Sequence, residues 1–153
     1  MPVRTQRNSE PGTELDAAVV ELYRRSRAEE FGMPAHEFAA ILDEIAKKSI
    51  PDSAKSQKKD FLSRLHVEDL ALARACAAGN ERAWQVFMLR FREKLYDAGR
   101  QITRDDATGR ELADSVYADL YGTQTREGRR HSKLYSYGGR GSLGGWLRTV
   151  LAQ

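Results

Sequence analysis

Asn80 to Thr103 reads NERAWQVFMLRFREKLYDAGRQIT, and this stretch decides the fold. Its apolar residues Trp84, Phe87, Met88, Phe91, Leu95 and Ile102 recur at spacings of three, four and seven. An α-helix of about 3.6 residues per turn gathers such positions into one stripe. Asn80 suits the N-cap, because its side-chain oxygen can accept from a first-turn amide. The spacing therefore predicts the longest helix of the chain, with an aromatic stripe turned toward a core. A second helix follows, capped by Asp105 or Asp106, with Leu112, Val116, Tyr117 and Leu120 inside and Gly122 at its C-terminal stop.

The helical pattern continues in both directions. Upstream, Val67, Leu70, Ala71 and Ala75 predict a short helix ending at Gly79. Residues 51–59 are polar and charged, a linker or a short helix that Asp52 or Ser53 could cap and that would bury Phe61, Leu62 and Leu65. Earlier still, Thr13 can cap a helix carrying Leu15, Val19, Leu22 and Tyr23, stopped at Gly32. Pro34 suits the first turn of the next, with Phe38, Ile41, Leu42 and Ile45 as its stripe and an end at Lys47–Ser49, before Pro51. Downstream lies a Gly- and Arg-rich loop. Ser142 then caps a last helix with Leu143, Trp146, Leu147, Val150 and Leu151. No strand alternation and no internal repeat is visible.

The expected fold is all-α, a helical bundle. Residues 1–12 read as a disordered start, 13–60 as a helical N-terminal extension, and 61–153 as a four-helix domain with the larger core. The two extension helices are too small to be stable alone. They complete the core of the bundle or cover one of its binding surfaces.

Hydrophobic residues make up 41% of the chain and charged residues 31%, which suits a packed core with a wet surface. No apolar run approaches the roughly 20 residues that span a bilayer, and no signal peptide opens the sequence. Cys76 has no partner for an internal disulfide. These features predict a cytoplasmic protein with no membrane partner. His36, His66 and His131 are scattered, so no metal site is expected. No nucleophile elbow or phosphate-binding loop is present, so neither a cofactor nor an enzyme is expected. The charge is uneven: residues 123–153 carry six basic residues against one acidic, and residues 1–122 carry nineteen against twenty-one. A concentrated basic segment points to a polyanionic partner or to a solvated loop.

Three motifs carry a family resemblance. Asp69 to Trp84 (DLALARACAAGNERAW), continuing through Phe87 and FREKLY at 91–96, pairs a short helix with a glycine, a polar pair and an aromatic-anchored helix. GRELADSVYADLY at 109–121 forms an acidic helix, and YGGRGSLGGWLRTVLAQ at 137–153 closes the chain. In this order and spacing they resemble domain two of bacterial RNA polymerase sigma factors of the extracytoplasmic-function type, over residues 66–153. The family writes the second motif as A-E-D-L-V-Q-E-V-F-L-R-L-W and the third as F-R-G-x-x-S-F-x-x-W-L-x-x-I-A-x-N. Asp114-Ser115 stands where the family has Gln-Glu, Gly144-Gly145 replaces a basic position, and Gln153 replaces Asn. The family continues the last helix and adds a helix-turn-helix domain for the −35 element. That domain is absent from this sequence, so the resemblance implies either a fragment of a longer sigma factor or a chain that cannot recognise a full promoter.

The resemblance implies partners and sites. The acidic helix would dock on the clamp coiled coil of core RNA polymerase through Arg110, Glu111, Asp114 and Asp119; such pairs set register and encounter more than affinity. The basic, aromatic, glycine-rich stretch would hold the single-stranded −10 promoter element, with Arg126, Arg129, Arg130, Lys133, Tyr135, Tyr137 and Arg140 as candidates beside His131. Trp146 and Arg148 extend this site into the last helix. Cations neutralise phosphates and release counterions. Aromatic faces stack unpaired bases. Tyr137 and Trp146 serve equally well as core residues. An anti-sigma factor is a further partner that the family implies. The rival reading is a helical adaptor that binds polymerase or another protein without promoter recognition; a weaker one is a general nucleic-acid binder.

Overall fold

The computed structural model describes residues 11–122, 125–126, 129–130 and 132–153. The long helix forms where its spacing places it. In α5 (Glu81–Thr103), the Asn80 side chain accepts from the Ala83 amide, and Arg104 leaves the helix in the left-handed region. Asp105 then caps α6 (Asp106–Tyr121) by accepting from the Thr108 amide, and Gly122 ends it at φ 78°. These two helices form an antiparallel hairpin, and they meet at two glycines. A Cβ placed on Gly99 would lie 2.4 Å from the Gly109 carbonyl oxygen, and one on Gly109 would lie 2.6 Å from the Arg100 amide nitrogen. Backbone touches backbone at this point, which any side chain would prevent.

Helix α4 (Val67–Ala77) is buried on nearly every side, including Leu70 through Ala77. Its run of leucines and alanines fits the middle of a bundle, where an apolar helix needs no polar face. It packs on α1 (Pro11–Ser26) and α5. The indole nitrogen of Trp84 donates to the Cys76 carbonyl at 2.9 Å and so joins α4 to α5. Helix α7 (Leu143–Leu151) is capped by the Ser142 hydroxyl, which accepts from the Gly145 amide. The amide of Leu143 donates to Asp69 on α4 at 2.9 Å.

The N-terminal helices belong to the same core, which runs continuously from Leu22 to Leu151. Helix α2 (Ala35–Ser49) buries Phe38, Leu42, Ile45 and Ala46. Asn80 donates its second hydrogen bond to the Phe31 carbonyl at 2.9 Å, which ties the turn between α1 and α2 to the start of α5. A 3₁₀ segment, Asp52–Gln57, and the short helix α3 (Lys58–Ser63) follow, with Leu62 and Leu65 buried and Phe61 half-buried.

The all-α expectation describes the molecule, with differences in detail. Helix α1 starts at Pro11 and stops at Ser26; a separate 3₁₀ turn, Ala28–Phe31, carries the chain to Gly32. The Ser26 hydroxyl both donates to the Tyr23 carbonyl and accepts from the Ala28 amide, closing α1 six residues before that glycine. Ile102, expected on the inner stripe, is 45% exposed, because it lies beyond the Gly99–Gly109 contact in the last turn of the hairpin. The stretch read as loop contains an antiparallel ribbon of two residues per strand, β1 (Thr125–Arg126) and β2 (Arg129–Arg130), and a 3₁₀ turn, Lys133–Ser136. Strands so short leave no alternation to read. Among the described residues, no helix is long and apolar enough to cross a membrane.

Candidate docking groove and nucleic-acid face

Away from the paired glycines, the walls of the α5–α6 hairpin carry large side chains and leave a groove. Its volume is about 610 Å³, and Trp84, Met88, Arg92, Tyr96, Asp114, Tyr117, Ala118 and Tyr121 line it. The rings support one another: Trp84 lies 4.9 Å from Phe87 and 5.2 Å from Tyr121. Tyr121 is 48% exposed at the end of the groove, and Leu89 is 88% exposed on the next turn of α5. The Tyr117 hydroxyl is buried and finds no hydrogen-bond partner among the described residues. Burial pushes its pKa upward.

The charged rim of this groove is organised around Tyr96. Its hydroxyl donates to Asp114 at 3.1 Å, and the Arg110 guanidinium stands 4.8 Å over its ring. Residues 110 and 114 are one helical turn apart, so both reach the same ring. Glu111 and Asp119 are exposed on α6 and make no ion pair among the described residues. The four residues read from the sequence as a docking set thus divide into two that hold the groove wall and two that face solvent. Trp84, Met88, Arg92, Tyr96 and Tyr121 were not in that set. The signal that could have found them is an excess of aromatics: α5 and α6 carry more rings than a single inward stripe absorbs.

The second candidate surface is the segment from Ser132 to Arg148. Buried Ser132 donates to the Leu120 carbonyl and accepts from the Leu134 amide, which fixes this segment to the end of α6. Lys133 is half-buried and Tyr135 is 45% exposed. The Arg74 guanidinium lies 5.8 Å from the Tyr135 ring and pairs with Glu44 of α2 at 3.4 Å. Tyr137 is only 2% exposed; its ring packs 5.7 Å from Trp146 and its hydroxyl donates to the Gly141 carbonyl. Trp146 is half-buried, whereas Arg140 and Arg148 are exposed. Gly139 takes φ 77°, and its carbonyl accepts from the His66 amide at 2.8 Å. The side chains of Arg126, Arg129 and Arg130 lie outside the described residues, as does His131.

The structure therefore places Tyr135, Arg140 and Arg148 at the surface and Tyr137 in the core. As packed, Tyr137 offers no free ring face to a base. Among the described residues no group of His, Cys, Asp and Glu could hold a metal ion. Cys76 is fully buried, and burial pushes its thiol up to about 12, which leaves it a packing residue. Compared with protein-family models, curated proteins and solved structures, the chain matches none.

Proposed function

We propose that this chain acts in bacterial transcription initiation, docking a polymerase coiled coil in the α5–α6 groove and holding single-stranded promoter DNA on the 126–148 face. The observation that carries the reading is the groove itself. An exposed apolar trough between two helices suits the apolar ridge of a partner helix. Aromatic anchors there would supply most of the binding energy. Glu111 and Asp114 beside it would meet basic groups and set the register. The resemblance of residues 109–121 to the sigma acidic helix supports polymerase as the partner. The resemblance of 137–153, the six bases of 123–153 and exposed Tyr135, Arg140 and Arg148 support the DNA half of the reading. Binding free energy would hold the DNA open, and nucleotidyl transfer would belong to the polymerase.

The adaptor reading draws on a specific observation. Tyr137 is buried and Trp146 half-buried, so two of the rings assigned to DNA already have protein neighbours. Such a chain would bind polymerase without recognising a promoter.

Gel filtration with bacterial core RNA polymerase tests the shared half of both readings. Wild type should co-migrate, and the Glu111→Arg, Asp114→Arg double variant should elute alone. Binding to the single-stranded −10 element then separates them. Failure of the wild type to co-migrate would reject polymerase docking in both readings and leave only an adaptor for another protein.

A further inference from the structure

Arg140 lies in the segment assigned above to DNA, yet the residues that position it, Ser49 and Phe61, precede the stretch that carries the family resemblance. Its guanidinium stands 5.1 Å over the ring of Phe61, and one of its nitrogens donates to the Ser49 hydroxyl at 3.4 Å. These two contacts span the end of α2 and the middle of α3. Between them opens a cleft of about 360 Å³, lined by Ser49, Gln57, Asp60, Phe61, Arg64 and Arg140 among others. That is the low end of small-ligand clefts, roughly 300–1,000 Å³.

The charges of this cleft are arranged to accept an anion. Arg140 makes no ion pair among the described residues and remains exposed, so its full charge is available. Stacking on a ring fixes the plane of a guanidinium and leaves its edge nitrogens free to donate. Arg64, which also lines the cleft, is 77% exposed and pairs, among the described residues, only with Asp60 at 2.9 Å. Exposed pairs of this kind contribute little and can be shared with a phosphate. The surrounding stretch 47–64 carries six basic residues against two acidic. A segment that masked Arg140 would bury it or place a carboxylate on it. This one does neither.

We propose that Ser49, Phe61, Arg64 and Arg140 form a phosphate-binding cleft, by which the stretch preceding the family resemblance takes part in holding the single strand. Arg140 and Arg64 contact the phosphodiester, and Phe61 and Ser49 act as positioning residues for Arg140. The proposal rests on the DNA half of the function above and extends it to a part of the chain to which the family resemblance assigns nothing.

The test is fluorescence anisotropy of the full chain with a labelled single-stranded DNA oligonucleotide, titrated at several salt concentrations. Arg64→Gln should weaken binding by about threefold or more and lower the salt slope by about 0.7, the value for one lost phosphate contact on a single strand. Phe61→Leu keeps the apolar packing and removes the stacking face. It should weaken binding, but add little in the Arg140→Gln background, because its effect passes through Arg140. Arg148→Gln, at a residue that does not line the cleft, reports on the DNA face itself. If Arg148→Gln weakens binding while Arg64→Gln and Phe61→Leu do not, the DNA reading stands and the cleft is overturned. Tighter binding by Phe61→Leu would make this upstream stretch a cover and also overturn the proposal. If the wild type does not bind DNA, the DNA reading and the cleft fall together. Should Phe61→Leu melt early by circular dichroism, the exposed Arg64→Gln still decides.

Discussion

Between α5 and α6, the rings of Trp84, Tyr96 and Tyr117 are packed into the walls of an open groove with Tyr121 half exposed at its end, and Arg110 and Asp114 are tied to Tyr96. In the segment 132–148, the Tyr137 ring is buried, and Arg140 and Arg148 point outward. The two regions adjoin, since Ser132 holds the Leu120 carbonyl, and they use similar residues in opposite ways. The reason is local. The hairpin helices touch through glycines at one end, and beyond that contact large side chains line an open groove, where Trp84 meets Tyr121 at 5.2 Å and the Tyr96 hydroxyl meets Asp114. The stretch 132–142 leads into α7 and uses Tyr137 to anchor its backbone, with the hydroxyl bound at Gly141 and the ring on Trp146 of α7. An open aromatic groove with charges tied at its rim suits a protein partner; exposed cations on an anchored segment suit a polyanion.

That contrast breaks first at the glycine contact. In Gly109→Ala the new Cβ would sit 2.6 Å from the Arg100 nitrogen, a backbone atom that no rotamer can move aside. The helices must separate, at an expected cost of about 3 kcal/mol. For a chain of this size the melting temperature should fall by roughly 6–12 °C. A drop smaller than about 2 °C would show that the hairpin is not held by that contact. Tyr121→Ala acts at the other end of the groove. Half of this ring is already in water, so the melting temperature should move little. If the groove is the docking site, affinity for polymerase should fall by about 2 kcal/mol, the scale of an interface anchor. The converse pattern, a lower melting point with unchanged affinity, would make Tyr121 a packing residue.

The helices themselves were legible because their signals are local. Asn80, Asp105, Ser142 and Gly122 act within one turn of their own positions, α2 and α5 bury most of the residues their periods select, and α6 buries Val116 and Leu120 with Leu112 and Tyr117 partly covered. Helix α4 was located but not its burial all round, since a run of small apolar residues has the same spacing whether one side or every side is covered. Two features had no local signal. Gly99 and Gly109 are unremarkable helical glycines until the hairpin brings them face to face. Phe61 reads as a core residue of a short helix; that it carries Arg140, far along the chain, follows only from the fold. Of the candidate site, charge and composition disclosed the polar residues. Which rings were spare and which were anchors depended on long-range packing.

Tyr137 allows the finest test of the comparison, because one oxygen atom separates its two roles. If it is an anchor, Tyr137→Phe should cost about 1 kcal/mol, from the lost bond to the Gly141 carbonyl, and leave DNA affinity unchanged. Tyr135→Ala should do the reverse. The pH dependence adds a check on sign. Burial raises the Tyr137 pKa above its ordinary 10.0, so the native state keeps this proton while the unfolded chain releases it near that pH. The hydroxyl's contribution is therefore complete below pH 10.0 and declines as the pH rises above it, because ionisation then favours the unfolded chain. The stability difference between wild type and Tyr137→Phe, measured by urea unfolding, should be constant from neutral pH to about 9 and shrink at higher pH. A difference that grows with alkali would mean that the native tyrosine ionises first. The ring would then have to be open to solvent and available to stack on a base.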